Sequence, residues 1–282
     1  MTAQQIVCLN GEFLPIEEAR IPVLDRGFIF GDGIYEVVPV YGGKPFRLPQ
    51  HLARLERSLA KTGIANPMNA AGWRKLVNEL ISRHPWPDQF VYMQVTRGVA
   101  KRDHAFPAGV APTVFAMVSE LAPVPREMRE NGVAAISLPD ERWLHCDIKS
   151  TSLLGNVLAR QAAVSAGAAE CVMFRDGFLT EGSASNIWIV RNGTVLGPPN
   201  DNLVLEGIRY GLMHELCDRA GLSLDLRRIL HSEVMAADEL MLSSATREVL
   251  AITSLDGRPV ADGKPGPVWH RLYKAYQQAK AA

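Results

Sequence analysis

Of the eight lysines in the chain, one is set apart by its neighbours. Lys149 follows the apolar Ile148 and opens onto Ser150, Thr151 and Ser152, a hydroxyl run suited to capping the next helix. Lys44 sits in a Gly-Gly turn, Lys101 and Lys264 sit in loops, and the other four lie on helices beside polar residues. A solvated lysine at a helix start is the ordinary reading, although its charge there opposes the helix dipole. The alternative is a held primary amine, which attacks carbonyl and imine carbons and carries protons. Lys149 alone leaves both readings open.

Four further segments bear on the choice. In TEGSASN (180–186), Glu181 precedes a run of small residues that lets a flat ring approach the backbone, and a carboxylate suits a protonated pyridine nitrogen. A lone Glu before Gly-Ser is more commonly a turn residue. In LEGIRYGL (205–212), Gly207 opens an amphipathic helix, whose first N–H groups suit a phosphate. SSATRE (243–248) offers Thr246 after a strand. In LPQHLARLERS (48–58), Arg54 can set a bidentate guanidinium on a phosphate, or simply form part of a polar helix face.

Other chemistries are set aside. Gly31-Asp32-Gly33 begins like a dinucleotide fingerprint, but the third glycine is replaced by Glu36. Gly263-Lys264 lacks the Ser/Thr of a P-loop, and GSASN (182–186) is not a nucleophile elbow. The seven histidines are dispersed, so no metal is expected. Lys+Arg and Asp+Glu both number 30, which disfavours a nucleic-acid partner. The N-terminus lacks the pattern of a signal peptide, no apolar run is long enough to span a membrane, and the four cysteines have no C-x-x-C spacing. A cytoplasmic protein with reduced thiols is expected.

The elements that position these residues follow from periodicity. IVCL and EFLP flank Asn10-Gly11, and IYEVVPVY and KPFRL flank Gly42-Gly43, which predicts two hairpins. Two helices follow, with apolar faces at Leu52, Leu55 and Leu59 and at Trp73, Leu76, Val77, Leu80 and Ile81. FVYMQVTRG and TVFAMVSEL read as strands. LAPVPREMRENG carries two prolines and a charge cluster. It predicts a linker over 122–130 between a small N-terminal domain (1–121) and a larger C-terminal domain (131–282) that carries Lys149. Beyond it come a strand at GVAAISL, a helix over 153–166, strands near 170–174 and 186–190, a helix from Gly207 to Ala220 and a closing helix from Val268. Helices and strands mix without a regular βαβ rhythm, which predicts an α+β fold.

LDRGFIFGDGIYEV (24–37), HLARL (51–55), IKSTSLLGNVLA (148–159), TEGSASN (180–186) and LEGIRYG (205–211) together resemble the fold type IV pyridoxal-phosphate enzymes. These include D-amino-acid transaminases, branched-chain aminotransferases and aminodeoxychorismate lyase. The resemblance runs from about residue 5 to the C-terminal helix and implies two domains with pyridoxal 5'-phosphate between them. It implies that Lys149 binds the cofactor covalently and carries the proton between two carbons, and that Glu181 holds the pyridine nitrogen. Arg54, the main-chain N–H groups of Ile208 and Arg209, and Thr246 are implied to hold the phosphate, and Tyr35 to face the substrate.

Within that group, VTRGVAKRDHAFP (95–107) is similar to the loop of D-amino-acid transaminases in which an R-x-H pair grips the substrate carboxylate from the neighbouring subunit. Here the pair is Arg102 and His104, and a homodimer is implied; a solvated charged loop is the bland reading. Branched-chain enzymes carry an arginine two residues after the tyrosine of the preceding strand, where Tyr92-Met93-Gln94 has glutamine. The resemblance therefore favours D-amino-acid transamination of the D-alanine and 2-oxoglutarate type. Arg209, Ala184 and Ala245 depart from close relatives near the implied cofactor.

Overall fold

Asn10 and Gly11 have φ of 52° and 88°, the left-handed pair that a two-residue turn needs, and they join β1 (Ile6–Leu9) to β2 (Glu12–Pro15). The structure is a computed structural model that describes residues 5–205 and 208–281, with the backbone alone of Arg209. The chain divides into two compact units. The first runs to Ala122 and includes Ile148–Leu153; the second comprises Pro123–Asp147 and the chain from Leu154 on.

In the first unit, α1 (Arg26–Phe30) leads to β3 (Gly33–Tyr41), β4 (Lys44–Pro45), α2 (Leu48–Thr62), α3 (Ala70–Ser82), β5 (Gln89–Thr96) and β6 (Thr113–Glu120). The second hairpin is shorter than the sequence suggests. Arg47 turns left-handed, with φ of 58°, and α2 starts at Leu48 with a proline in its first turn, so the strand stops at Pro45. The described strands form a sheet in the order β2-β1-β6-β5-β3-β4. Both predicted helix faces are buried in one cluster with Val38, Val40, Val91, Met93, Val95, Ala116 and Val118 of the sheet. Alternation along β3 gives that face Ile34, Glu36, Val38 and Val40, and turns Tyr35 to the other.

The segment carrying Lys149 groups with this unit rather than with the C-terminal domain expected from the sequence. The reason is main-chain pairing with the start of β3. The Tyr35 N–H donates to Lys149 O at 3.0 Å, the Thr151 N–H to Gly33 O at 2.9 Å, and Ile34 bridges to Ser150. The hydroxyl run tightens this join, since Thr151 and Ser152 donate to Gly31 O at 2.8 and 3.0 Å.

The second unit holds α4 (Arg126–Asn131), β7 (Val133–Pro139), α5 (Leu154–Ser165), β8 (Glu170–Arg175), β9 (Phe178–Leu179), β10 (Asn186–Arg191) and β11 (Thr194–Gly197). It continues through α6 (Ile208–Ala220), β12 (Leu224–Leu226), α7 (His231–Met235), β13 (Glu239–Ser244), β14 (Glu248–Leu255), β15 (Arg258–Pro259) and α8 (Pro267–Ala281). The start of α4 falls inside the 122–130 segment, and Val124 packs on the core of this unit. The sheet runs β12-β11-β10-β13-β14-β7-β8-β9, with β15 paired to β14. Parallel pairs (β11 with β12, β14 with β7, β7 with β8) mix with antiparallel ones, as an α+β fold allows. Its core is built from Val172, Ile187, Ile189, Leu240, Leu242, Leu250 and Ile252. Among the described residues, no helix is long and apolar enough to cross a membrane.

Candidate active site

Lys149 projects from the segment paired to β3, and its Nζ lies 4.2 Å from the centroid of the Tyr35 ring. That distance is within the range of a cation–π contact, which seats the amine over the face of the ring. Tyr35 stacks on Tyr92 with centroids 5.6 Å apart, and the Tyr92 hydroxyl donates to Gln94 Oε1 at 2.6 Å. Burial, reinforced by the neighbouring Tyr35, pushes the Tyr92 hydroxyl up to about 12. The Tyr92 phenol therefore stays a neutral hydrogen-bonding group near neutral pH.

Arg54 of α2 meets Glu36 of β3. Its Nε donates to Glu36 Oε1 at 2.6 Å and its Nη2 to Oε2 at 2.8 Å, and His51 Nδ1 lies 2.8 Å from the same Oε2. Burial works against the Glu36 charge, but the Arg54 guanidinium and His51 override it and hold the carboxyl well below the usual range. The two-pronged pair fixes the plane of the guanidinium. Glu36 entered the sequence reading only as the residue that spoils a dinucleotide motif. Its spacing from Arg54 has no local period, so nothing in the sequence marks the pair.

Arg102 and His104 lie exposed on the loop after β5 and share one support. The Arg102 guanidinium carbon is 5.4 Å and the His104 ring 5.5 Å from the centroid of Phe30.

In the second unit, Glu181 follows β9 and is buried. Its Oε1 accepts from Arg142 Nη1, and its Oε2 accepts from the Leu205 N–H at 3.1 Å and from Asn186 Nδ2 at 3.4 Å. Arg142 is itself forked onto Asp140, with Nε to Oδ1 at 2.9 Å and Nη2 to Oδ2 at 2.8 Å, and Arg175 Nη2 lies 3.1 Å from Asp140 Oδ1. Burial pushes the Glu181 carboxyl up, against the pull of Arg142 and the Leu205 N–H, so its proton affinity exceeds that of an ordinary glutamate. Arg142 stays cationic, because its two carboxylates outweigh the cost of burying it. Sequence reasoning missed Arg142. The signal available was weak, an Asp-x-Arg pair followed by the Lys149 segment.

The turn after Glu181 is as tight as its small residues suggest. The Gly182 N–H donates to Ser185 O at 2.7 Å, and a Cβ on Gly182 would sit 2.4 Å from Ser185 Oγ. Buried Glu170 gathers this turn: Oε1 accepts from the Ser183 hydroxyl and from its N–H at 3.0 Å, and Oε2 accepts from the Ser185 hydroxyl at 2.9 Å. Arg247 Nη1 lies 3.7 Å from the same Oε2. Thr246, next to Arg247, is exposed in the turn joining β13 to β14, with Ala245 beside it. Ile208 opens α6; Gly207 and the Arg209 side chain fall outside the described residues. Among the described residues no cluster of His, Cys, Asp and Glu could hold a metal ion.

Residues 33–255 match the family model described as amino-transferase class IV. The chain belongs to that family. This class IV aminotransferase is 38% identical over 273 residues to the D-alanine aminotransferase of Bacillus licheniformis, a match covering 97% of this chain and 96% of the relative. Solved structures share its fold. The branched-chain amino acid aminotransferase of Escherichia coli is similar with a TM-score of 0.92 and 22% identity, over 98% of this chain and 94% of that one. The branched-chain aminotransferase of the archaeon Thermoproteus uzoniensis, solved with norvaline, has a TM-score of 0.89 and 25% identity, over 99% and 95%. These likenesses speak for the α+β architecture expected of fold type IV, and the aminotransferase activity rests on the family.

Proposed function

We propose that this class IV aminotransferase is a pyridoxal-phosphate-dependent D-amino-acid transaminase that takes D-alanine and 2-oxoglutarate to pyruvate and D-glutamate, as a homodimer in the cytoplasm. The observation that carries the reading is 38% identity over nearly the full chain to a D-alanine aminotransferase, together with Arg102 and His104 seated on one half-buried ring, that of Phe30. Gln94 supports it from the opposite side, since it stands where branched-chain enzymes carry an arginine and is engaged with the Tyr92 hydroxyl.

The residues suit the cofactor. Lys149 offers an amine, and Glu181 is a buried carboxylate of raised proton affinity backed by Arg142, the partner a protonated ring nitrogen requires. When bound, pyridoxal phosphate supplies an aldehyde carbon that exchanges amines and a cationic ring that accepts an electron pair. Lys149 would be the amine that holds that carbon and gives it up to the incoming amine. Its Nζ, once free, would serve as the base and acid that moves the substrate Cα proton. Glu181 keeps the ring nitrogen protonated throughout, so that the electron pair of the broken Cα–H bond has a sink. Arg54, the first turn of α6 and Thr246 hold the phosphate, and Tyr35 orients the substrate.

Arg102 and His104 grip the substrate carboxylate of the partner subunit, a role suited to exposed side chains on a supported loop. Leu154, Val157 and Leu158 of α5 support a dimer as well, since three exposed apolar residues at i, i+3 and i+4 form a stripe of the kind a protein partner covers. The four cysteines are all buried free thiols, as a reducing compartment permits.

Omitting the acceptor tests the reaction type. With D-alanine and 2-oxoglutarate, pyruvate and D-glutamate should accumulate in equal amounts, and without 2-oxoglutarate pyruvate should stop at one equivalent per site. A lyase would instead leave D-alanine unconverted and release pyruvate from a chorismate-derived substrate with no acceptor present. Arg102→Ala should weaken substrate capture by about 2–5 kcal/mol, the cost of breaking one side of a desolvated charge pair, and leave the visible spectrum of the bound cofactor unchanged. Steady-state KM and the spectrum check both.

A further inference from the structure

The loop that carries Arg102 and His104 has no regular secondary structure, yet two buried arginines hold it. Arg26, at the start of α1, donates through Nη1 to Asp103 O at 2.5 Å and Ala105 O at 3.4 Å, and through Nη2 to His104 O at 3.4 Å. Its Nε donates to Asp32 Oδ2 at 2.7 Å. Arg97, just after β5, forks onto the same carboxylate, with Nε to Oδ2 at 2.7 Å and Nη2 to Oδ1 at 3.0 Å. Arg97 is fastened in turn to Gly63 O at 3.1 Å and Thr62 O at 2.8 Å, and its guanidinium carbon lies 3.6 Å from the centroid of Phe106. Main-chain bonds close the base of the loop, from the Arg26 N–H to Gly98 O at 2.9 Å and from the Arg97 N–H to Asp32 O at 3.1 Å. Gly98 is required there, because at φ of 97° a Cβ would lie 2.1 Å from Ala111 O.

Three consecutive carbonyls, of residues 103–105, are thus drawn onto one buried guanidinium. The same guanidinium lies 4.9 Å from the centroid of Phe30, the ring that supports Arg102 and His104. Arg26 and Asp32 lie outside the hydrophobic cluster that joins this sheet to α2 and α3. What they fix is one conformation of an exposed loop, and an exposed loop gains from such fixing when its side chains must meet a ligand in a set geometry.

We propose that Arg26 is a positioning residue for substrate: with Asp32, Arg97 and Phe30 it clamps the 102–105 loop so that Arg102 and His104 are preorganised to receive an α-carboxylate. The inference rests on the carboxylate role proposed for those two residues. Preorganisation acts on capture, because a loop that must be ordered at each binding event takes the ordering cost from affinity. The chemistry at Lys149 is untouched once substrate is bound.

Arg26→Lys and Phe30→Leu in the cofactor-loaded enzyme provide the test. Lysine keeps the charge beside Asp32 but lacks the planar fork that spans three carbonyls, so the fold is retained while the clamp is loosened. KM for D-alanine should rise about tenfold, the equivalent of one charge-assisted hydrogen bond. The kcat at saturating D-alanine should stay within about twofold, the absorption of the bound cofactor should not change, and amide hydrogen exchange over 102–106 should speed up. Loss of fold would instead lower the active fraction, and so kcat, with KM unmoved. KM and loop exchange both at parent values in the two variants would overturn the clamp while leaving the transaminase reading intact. A parent enzyme that does not turn over D-alanine would remove both.

Discussion

Lys149→Ala is expected to lose turnover by several orders of magnitude while still binding cofactor. On the proposed mechanism the variant removes two functions at once, the amine that binds and releases the aldehyde carbon and the base that moves the Cα proton. Acid–base catalysis alone is typically worth roughly 10²–10⁴-fold, so the combined loss should exceed that. Retention of the cofactor follows from the number of groups assigned to it. Arg54, pinned by Glu36, and Glu181, backed by Arg142, are unaffected by the change. The fold should survive too, because the segment is joined to β3 through main-chain atoms and the Thr151 and Ser152 hydroxyls, not through the lysine side chain. Single-turnover and steady-state rates, read beside the absorption spectrum, check each part. Near-parent turnover would assign the proton transfer to another group.

The second large effect is expected at Glu181. Glu181→Gln removes the charge proposed to keep the ring nitrogen protonated and should cut kcat by roughly 10²–10³-fold, the usual cost of one preorganised electrostatic group. Glu181→Lys should do worse by setting a cation against the nitrogen, and Glu181→Asp should retain part of the activity. Arg142→Met adds a test with a sign. Burial raises the Glu181 pKa and Arg142 opposes that rise. Without the guanidinium the carboxyl must titrate at still higher pH, so the acid limb of the kcat profile should move up relative to the parent. Parent rates in both Glu181→Gln and Glu181→Lys would show that the electron sink is maintained elsewhere.

Much of this was legible in the sequence because it is local. The Asn10-Gly11 turn, the α2 and α3 faces and the β5 and β6 strands follow from periods of 2 and 3.6 residues and turn chemistry, and all appear in the structure. The second hairpin was overextended because Arg47 adopts a left-handed φ, which nothing in its composition announces. The candidate site residues are named from the sequence by type and order. Their supports are not, because Glu36 with Arg54, Glu181 with Arg142, and Arg26 with the 103–105 carbonyls join positions 18, 39 and about 78 residues apart. Buried ion pairs of that kind carry no periodic trace. The grouping of Lys149 with the N-terminal unit was hidden for the same reason, since it depends on main-chain hydrogen bonds to β3 made across more than a hundred residues.

The handedness of the substrate is the property on which the proposed function stands most directly. A transaminase selects an enantiomer by fixing the α-carboxylate and the Cα–H bond relative to its lysine, on the proposed reading through Arg102, His104 and Tyr35 on one side and Lys149 on the other. The deciding measurement is the initial rate with D-alanine against those with L-alanine and L-leucine, each with 2-oxoglutarate at equal concentration, with the product glutamate resolved by chiral chromatography. D-alanine should be turned over far faster than either L-amino acid, with D-glutamate as the product. Faster reaction of L-leucine, giving L-glutamate, would contradict the D-amino-acid reading and make the protein a branched-chain aminotransferase.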